Sequence, residues 1–233
     1  MKIKNSRKKA KKILSVVLII CWVCLIAYTG IYIYNNFLQP KKNQQQIPGG
    51  STLTHQVDET EVTEEKKNSY QVPNPLFPRF LSIPNLKISN ARVVQLGLVK
   101  NTSQLDSPIS IHDAGWYIKS ALPGSSKGAL LIDGHNGGPT KGGIFENLGN
   151  LSKGSDIIVE RGDGQKITYE VKDVREMTVD EINDEKNKFG MSTMLDSFES
   201  SKEGLNIITC VGDWDYSKNT FNKRVMLRAV RKN

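Results

Sequence analysis

The chain has 233 residues, a formal net charge of +8 and three cysteines. Seven basic residues, Lys2, Lys4, Arg7, Lys8, Lys9, Lys11 and Lys12, precede the first apolar run with no acidic residue among them, so the rest of the chain is close to neutral. That distribution excludes a nucleic-acid footprint, which needs a basic stripe on the folded part, and points to membrane topology and contact with anionic lipid instead.

Residues 13–34 carry no charged side chain and are rich in Ile, Val, Leu, Tyr, Trp and Cys. At about 1.5 Å per residue such a helix crosses a hydrocarbon core of about 30 Å. Trp22, Tyr28, Tyr32 and Tyr34 suit a span, the last two near one interface. The run is longer than the apolar core of a cleaved signal peptide and has no small-x-small site after it. Cys21 and Cys24 follow Ile20 and Val23, not the small residue that precedes a lipid-modified cysteine, and read as small apolar members of the span. The basic tail 1–12 is then cytoplasmic, 13–34 a transmembrane signal anchor, and everything after it extracytoplasmic.

Residues 35–78 hold Gln44-Gln45-Gln46, Pro48-Gly49-Gly50, a Thr/Glu/Lys-rich stretch and Pro73, Pro75 and Pro78, with no sustained apolar period. They read as a flexible tether with a reach of about 35–40 Å. Residues 79–233 are one domain's worth of chain, enough for a core without disulfides. Short runs at 80–83, 92–96, 129–132 and 156–159 are bounded by Gly, Pro, Asn and Asp and read as strands. Arg161-Gly162-Asp163-Gly164 makes a hairpin with 166–171. The polar segment 178–189 is the place for one helix, and 143–148 for a helical turn. Many short strands with few helices point to a mainly β fold, a closed barrel or a sandwich.

Cys210 closes the apolar run Asn206-Ile207-Ile208-Thr209 and is the only cysteine outside the span. A lone thiol on the outer side of a membrane has no partner for an intramolecular disulfide, and reads as an intermolecular link or a nucleophile. A nucleophilic thiol needs a proton shuttle and a group that stabilises charge on the attacked carbonyl oxygen. Of the three histidines, His55 lies in the tether. His112 reads as structural or exposed. His135, in Asp133-Gly134-His135-Asn136-Gly137-Gly138, opens a glycine-rich loop after a strand, a place that fits a catalytic histidine and a surface histidine equally. Arg224 opens the alternating run 224–230. If the strand ending at Cys210 pairs antiparallel with that run, the two residues become neighbours, and a guanidinium there can meet an oxyanion. Thr209 precedes the thiol; alternation sends its side chain to the opposite face, and only a bulge or strand end brings its hydroxyl to substrate. The acidic residues Glu176, Asp180, Glu181, Asp184 and Glu185 read as a solvated face, and no metal or other cofactor is expected.

Taken in order, these pieces resemble the sortases of Gram-positive bacteria, most like class F and next class D. The resemblance covers about 80–230. It rests on Phe80-Leu81-Ser82-Ile83-Pro84, Ala121-Leu122-Pro123-Gly124, Gly134-His135, the tract 109–117, Ile207-Ile208-Thr209-Cys210, and the stretches 212–215 and 221–224, behind a signal anchor. It implies an eight-stranded sortase barrel and a transpeptidase. Cys210 would attack the Thr–Gly bond of a Leu-Pro-x-Thr-Gly-like sorting signal on a secreted protein. A cell-wall precursor or pilin amine would resolve the thioacyl-enzyme. By the same resemblance His135 is acid and base, and Arg224 orients substrate and stabilises the oxyanion. Other envelope cysteine enzymes fit less well. L,D-transpeptidases place His and Gly directly before the cysteine, where this chain has Thr209, and papain-like enzymes place the cysteine before the histidine. A non-catalytic anchored module with a buried Cys210 is the remaining alternative.

Overall fold

The computed structural model describes Trp22 and residues 57–232 other than Asn219. The chain forms two units, 1–44 and 45–233, and the residues described below belong to the second. Apart from Trp22, the expected span 13–34 lies outside the described residues. Among those described, no helix is long and apolar enough to cross a membrane.

Eight strands, β1 (Pro78–Ile83), β2 (Ile88–Leu96), β3 (Ala114–Tyr117), β4 (Ala129–Gly134), β5 (Asp156–Arg161), β6 (Lys166–Thr178), β7 (Gly204–Asp215) and β8 (Thr220–Arg231), close into a barrel in the order β1-β2-β3-β4-β7-β8-β6-β5. The mainly β expectation thus resolves to a barrel, which leaves no open sheet edge. Neighbours pair antiparallel except β2 with β3 and β4 with β7, which run parallel. Period-2 alternation sorts the side chains. Leu205 and Ile207 of β7, Val225, Leu227 and Ala229 of β8, and Leu130 and Ile132 of β4 fill the barrel interior with Leu81, Ile83, Ile157, Val159, Tyr169 and Val171. The intervening Leu131, Ile208 and Met226 face outward into a second apolar cluster with Leu96, Tyr117, Ile182, Met191 and Met194.

β3 was not legible as a strand. Ala-Gly-Trp-Tyr has no alternation because all four residues are buried. Its glycine is required by close approach: a Cβ on Gly115 would lie 2.1 Å from Leu96 Cδ1. The helix expected within 178–189 is α2 (Val179–Asn183), opened by a capping box between Thr178 and Glu181. The acidic run around it has local partners: Glu176 pairs with Lys223 (2.7 Å) and Asp180 with Lys218 (2.9 Å). Among the described residues, no group of three or more His, Cys, Asp or Glu is placed to hold a metal ion.

Residues 57–77, which the sequence reading assigns to the tether, lie against the barrel. A short helix, α1 (Glu64–Ser69), is capped by Thr63. Beyond it the Tyr70 hydroxyl donates to the Val93 carbonyl (2.7 Å), and Arg79 Nε donates to the Tyr70 carbonyl (2.9 Å). Phe77 packs on Trp116 with ring centroids 4.8 Å apart. Scattered single aromatics reach distant partners here, and an apolar period cannot reveal that.

Candidate active site

The site follows from one parallel pairing. β4 and β7 run in register from Ala129↔Gly204 to Asp133↔Ile208. Two residues further on each strand the same register sets His135 level with Cys210. Both line one small pocket with Gly134, Asn136, Gly137, Trp214 and Phe221. Its cavity is about 20 Å³, the space of roughly one water molecule. β7 and β8 supply the third side. Cys210 is the cross-strand partner of Arg224, and beyond a register shift Trp214 is the partner of Phe221. Those two rings meet edge to face, centroids 5.2 Å apart.

The electrostatics keep the thiol protonated at rest. Burial pushes the Cys210 pKa up to about 12; the Arg224 guanidinium pulls it down, and the nearby Asp133 carboxylate pushes it up. Desolvation therefore outweighs the cation. His135 is buried, and its Nε2–H donates to the Pro108 carbonyl at 2.6 Å. A carbonyl only accepts, so Nε2 carries the proton and in the neutral ring Nδ1 carries the lone pair.

Arg224 sits where the strand pairing required, fully buried on the rung opposite Cys210. Its guanidinium donates to the carbonyls of Phe221 (2.7 Å) and Lys223 (2.8 Å) and to the Thr220 hydroxyl (2.7 Å). It stands behind the pocket rather than among its lining residues. Thr209 follows the alternation of β7. It has no exposed surface, and its hydroxyl donates to the Gly134 carbonyl at 2.7 Å. It faces the barrel interior and ties β7 to the start of the histidine loop. His112 lies away from the pocket, 3.6 Å from Glu61. Trp214, Phe221 and the Pro108 carbonyl complete the site. The first two could have been found as aromatics at mirrored positions about the turn of a long hairpin; a backbone carbonyl leaves no sequence signal.

A sortase-domain family model matches residues 81–232. Similar solved structures include the pilus-related sortase C of Group B Streptococcus, 18% identical over 82% of this chain and 81% of that one, with a TM-score of 0.50. Another is the sortase C of Streptococcus pneumoniae, 19% identical over 87% and 84%, TM-score 0.49. A third is a lid mutant of sortase A from Corynebacterium diphtheriae, 23% identical over 72% and 76%, TM-score 0.47. No curated protein sequence matches the chain. The family match spans every strand of the barrel except the first residues of β1, and it contains both pocket residues, His135 and Cys210: the chain belongs to the sortase family of cysteine transpeptidases.

Proposed function

We propose that this sortase is held in the cell membrane by residues 13–34 with its N-terminus in the cytoplasm, and that it cleaves a Leu-Pro-x-Thr-Gly-like sorting signal with Cys210 as nucleophile. The observation that supports this most is the meeting of Cys210 and His135 in one pocket at the paired ends of β4 and β7. His135 Nδ1 takes the thiol proton as the sulfur attacks the threonine carbonyl carbon. The oxyanion that forms lies near Arg224, whose charge already acts on the sulfur. Collapse breaks the Thr–Gly C–N bond, His135 returns the proton to the leaving glycine amine, and a thioester remains. An amine from a cell-wall precursor or a pilin subunit then attacks that thioester. His135 accepts the amine's proton and passes it to the sulfur as the C–S bond breaks, which restores the thiol and the neutral base. With the thiol pKa raised, proton transfer to His135 and attack by the sulfur proceed together.

Mass spectrometry of the full chain incubated with a panel of sorting peptides tests the proposal. A mass increase equal to the acyl fragment through threonine, located on Cys210 and absent in Cys210→Ala, is expected. Full turnover by Cys210→Ala, or an adduct on another residue, would overturn it.

A further inference from the structure

The segment just before the barrel is bonded to two stretches of chain that lead to the histidine, 109–111 and 140–141. Asp58 forms a parallel bridge with Ser110: its amide donates to the Ile109 carbonyl (2.8 Å), and its carbonyl accepts from the Ile111 amide (3.0 Å). These bonds fix the tract that carries Pro108, whose carbonyl holds His135 Nε2. One residue on, Glu59 reaches the other stretch. Its carboxylate accepts from the Thr140 amide (2.7 Å), the Thr140 hydroxyl and the Lys141 amide (3.2 Å).

Thr140 and Lys141 lie at the tip of a small hairpin that begins at His135. Gly137 bridges Gly142, and the Gly138 amide donates to the Lys141 carbonyl (2.8 Å). At its base the Gly143 amide donates to Asn136 and the Phe145 amide to His135 itself (3.0 Å). These backbone bonds link the tip of the loop to the histidine backbone. Gly138 leaves room for the clamp, since a Cβ there would lie 2.3 Å from Glu59 Oε1. Asp58-Glu59-Thr60-Glu61 lies outside the matched segment 81–232.

We propose that residues 57–61 are a strap that sets the orientation of His135, with Glu59 as a positioning residue. This rests on the catalytic reading of His135 above. Glu59 touches neither Cys210 nor the pocket wall formed by Trp214 and Phe221. Its removal should therefore lower the rate of acyl transfer and leave peptide binding and thiol accessibility alone.

Steady-state kinetics of the full-length protein with a sorting peptide and an amine acceptor, alongside alkylation of Cys210, provide the test. Glu59→Ala should lower kcat about tenfold, with KM and the alkylation rate within about twofold of the parent, while Glu65→Ala on α1 stays at the parent value. Glu59→Gln should recover kcat, because its amide oxygen still accepts from the two backbone amides and its NH2 donates to the Thr140 hydroxyl. Gly138→Ala, which crowds the carboxylate out, should reproduce the loss and add nothing in a Glu59→Ala background. It also decides the matter if Glu59→Ala fails to fold. Parent-like kcat in Glu59→Ala or Gly138→Ala, or a Glu59→Gln as impaired as Glu59→Ala, would overturn the strap. His135→Ala separates the two readings. Its inactivity beside a fully active Glu59→Ala rejects the strap alone, whereas an active His135→Ala rejects the catalytic reading and the strap with it.

Discussion

Two cross-strand pairs sit on the same outward face of the β7–β8 ribbon, two rungs apart on that face. Asn206 faces Arg228, and Cys210 faces Arg224. At the first pair every polar atom is committed to holding the fold. Arg228 donates to Asn206 Oδ1 (3.1 Å), the Thr193 hydroxyl (2.8 Å), and the Thr193 and Asp196 carbonyls, and Asn206 donates to the Met194 and Asp196 carbonyls. The pair rivets the 3-10 turn Met191–Thr193 and the chain after it to the barrel. At the second pair a thiol replaces the amide, the ribbon emerges beside the histidine loop, and the arginine braces the ribbon's own turn. Both arginines are buried and bonded to protein acceptors; the difference is that Arg228 ties the ribbon to a neighbouring segment, whereas Arg224 braces the ribbon's own turn directly across from a thiol that lines a pocket.

Arg224→Ala should have the largest effect on that comparison. Loss of an oxyanion-stabilising cation typically lowers kcat about 10²–10³-fold. The thiol loses the charge that holds its pKa down, so alkylation of Cys210 at neutral pH should slow as well. The Phe221 and Lys223 carbonyls and the buried Thr220 hydroxyl lose a donor as well, so melting should also fall, and turnover is compared per folded molecule. Unchanged alkylation together with unchanged turnover would show that Arg224 only braces the turn.

Arg228→Ala should act on stability alone. It leaves Asn206 Oδ1 without its donor, while the Thr193 and Asp196 carbonyls keep one donor each, the Asp196 amide and Asn206 Nδ2, and it should lower stability by about 1–3 kcal/mol in denaturant titration. Activity per folded molecule should stay near the parent value. A loss of turnover without a loss of stability would erase the distinction between the two pairs.

The pH dependence of alkylation isolates the thiol. With its pKa raised to about 12, the alkylation rate should climb about tenfold per pH unit through pH 9 and beyond, with no plateau near the ordinary cysteine value of about 8.5. The stability sign follows. Above about pH 8.5 the unfolded chain gives up its thiol proton first, so this group destabilises the fold increasingly as pH rises towards the folded value. A plateau near 8.5 would mean that the sulfur is hydrated rather than desolvated.

How much of this was legible beforehand depended on whether the signal lay in a side chain. Cys210 stood out as the only cysteine outside the apolar span, His135 by its glycine-rich loop, and Arg224 by opening an alternating run, while the antiparallel pairing that joins Arg224 to Cys210 entered only as a condition that the structure meets. Short bounded runs pointed to a mainly β fold, barrel or sandwich, and the resemblance to the barrel; β3 gave no signal, because burial of all four residues erases the period. The contacts around the histidine were not legible. Pro108 contributes a backbone carbonyl, which every residue has. Glu59 reads as one more acid in a polar stretch, and its partner Thr140 is 81 positions away. Such contacts depend on which loop the closed barrel brings alongside, and no local pattern encodes that.

Thr209→Val gives the smallest expected effect and the finest cut through the comparison. Thr209 lies between the two outward rungs but points inward, and its hydroxyl bond to the Gly134 carbonyl joins β7 to the residue just before His135. Valine keeps the β-branched shape and deletes only that bond. A buried neutral hydrogen bond contributes about 1 kcal/mol, so urea titration should show a loss of that size. The freed start of the histidine loop should lower kcat a fewfold while KM holds, because the position carries no exposed surface. A raised KM with unchanged stability would mean instead that the hydroxyl turns outward to meet the sorting signal, and that the strand end opens when substrate arrives.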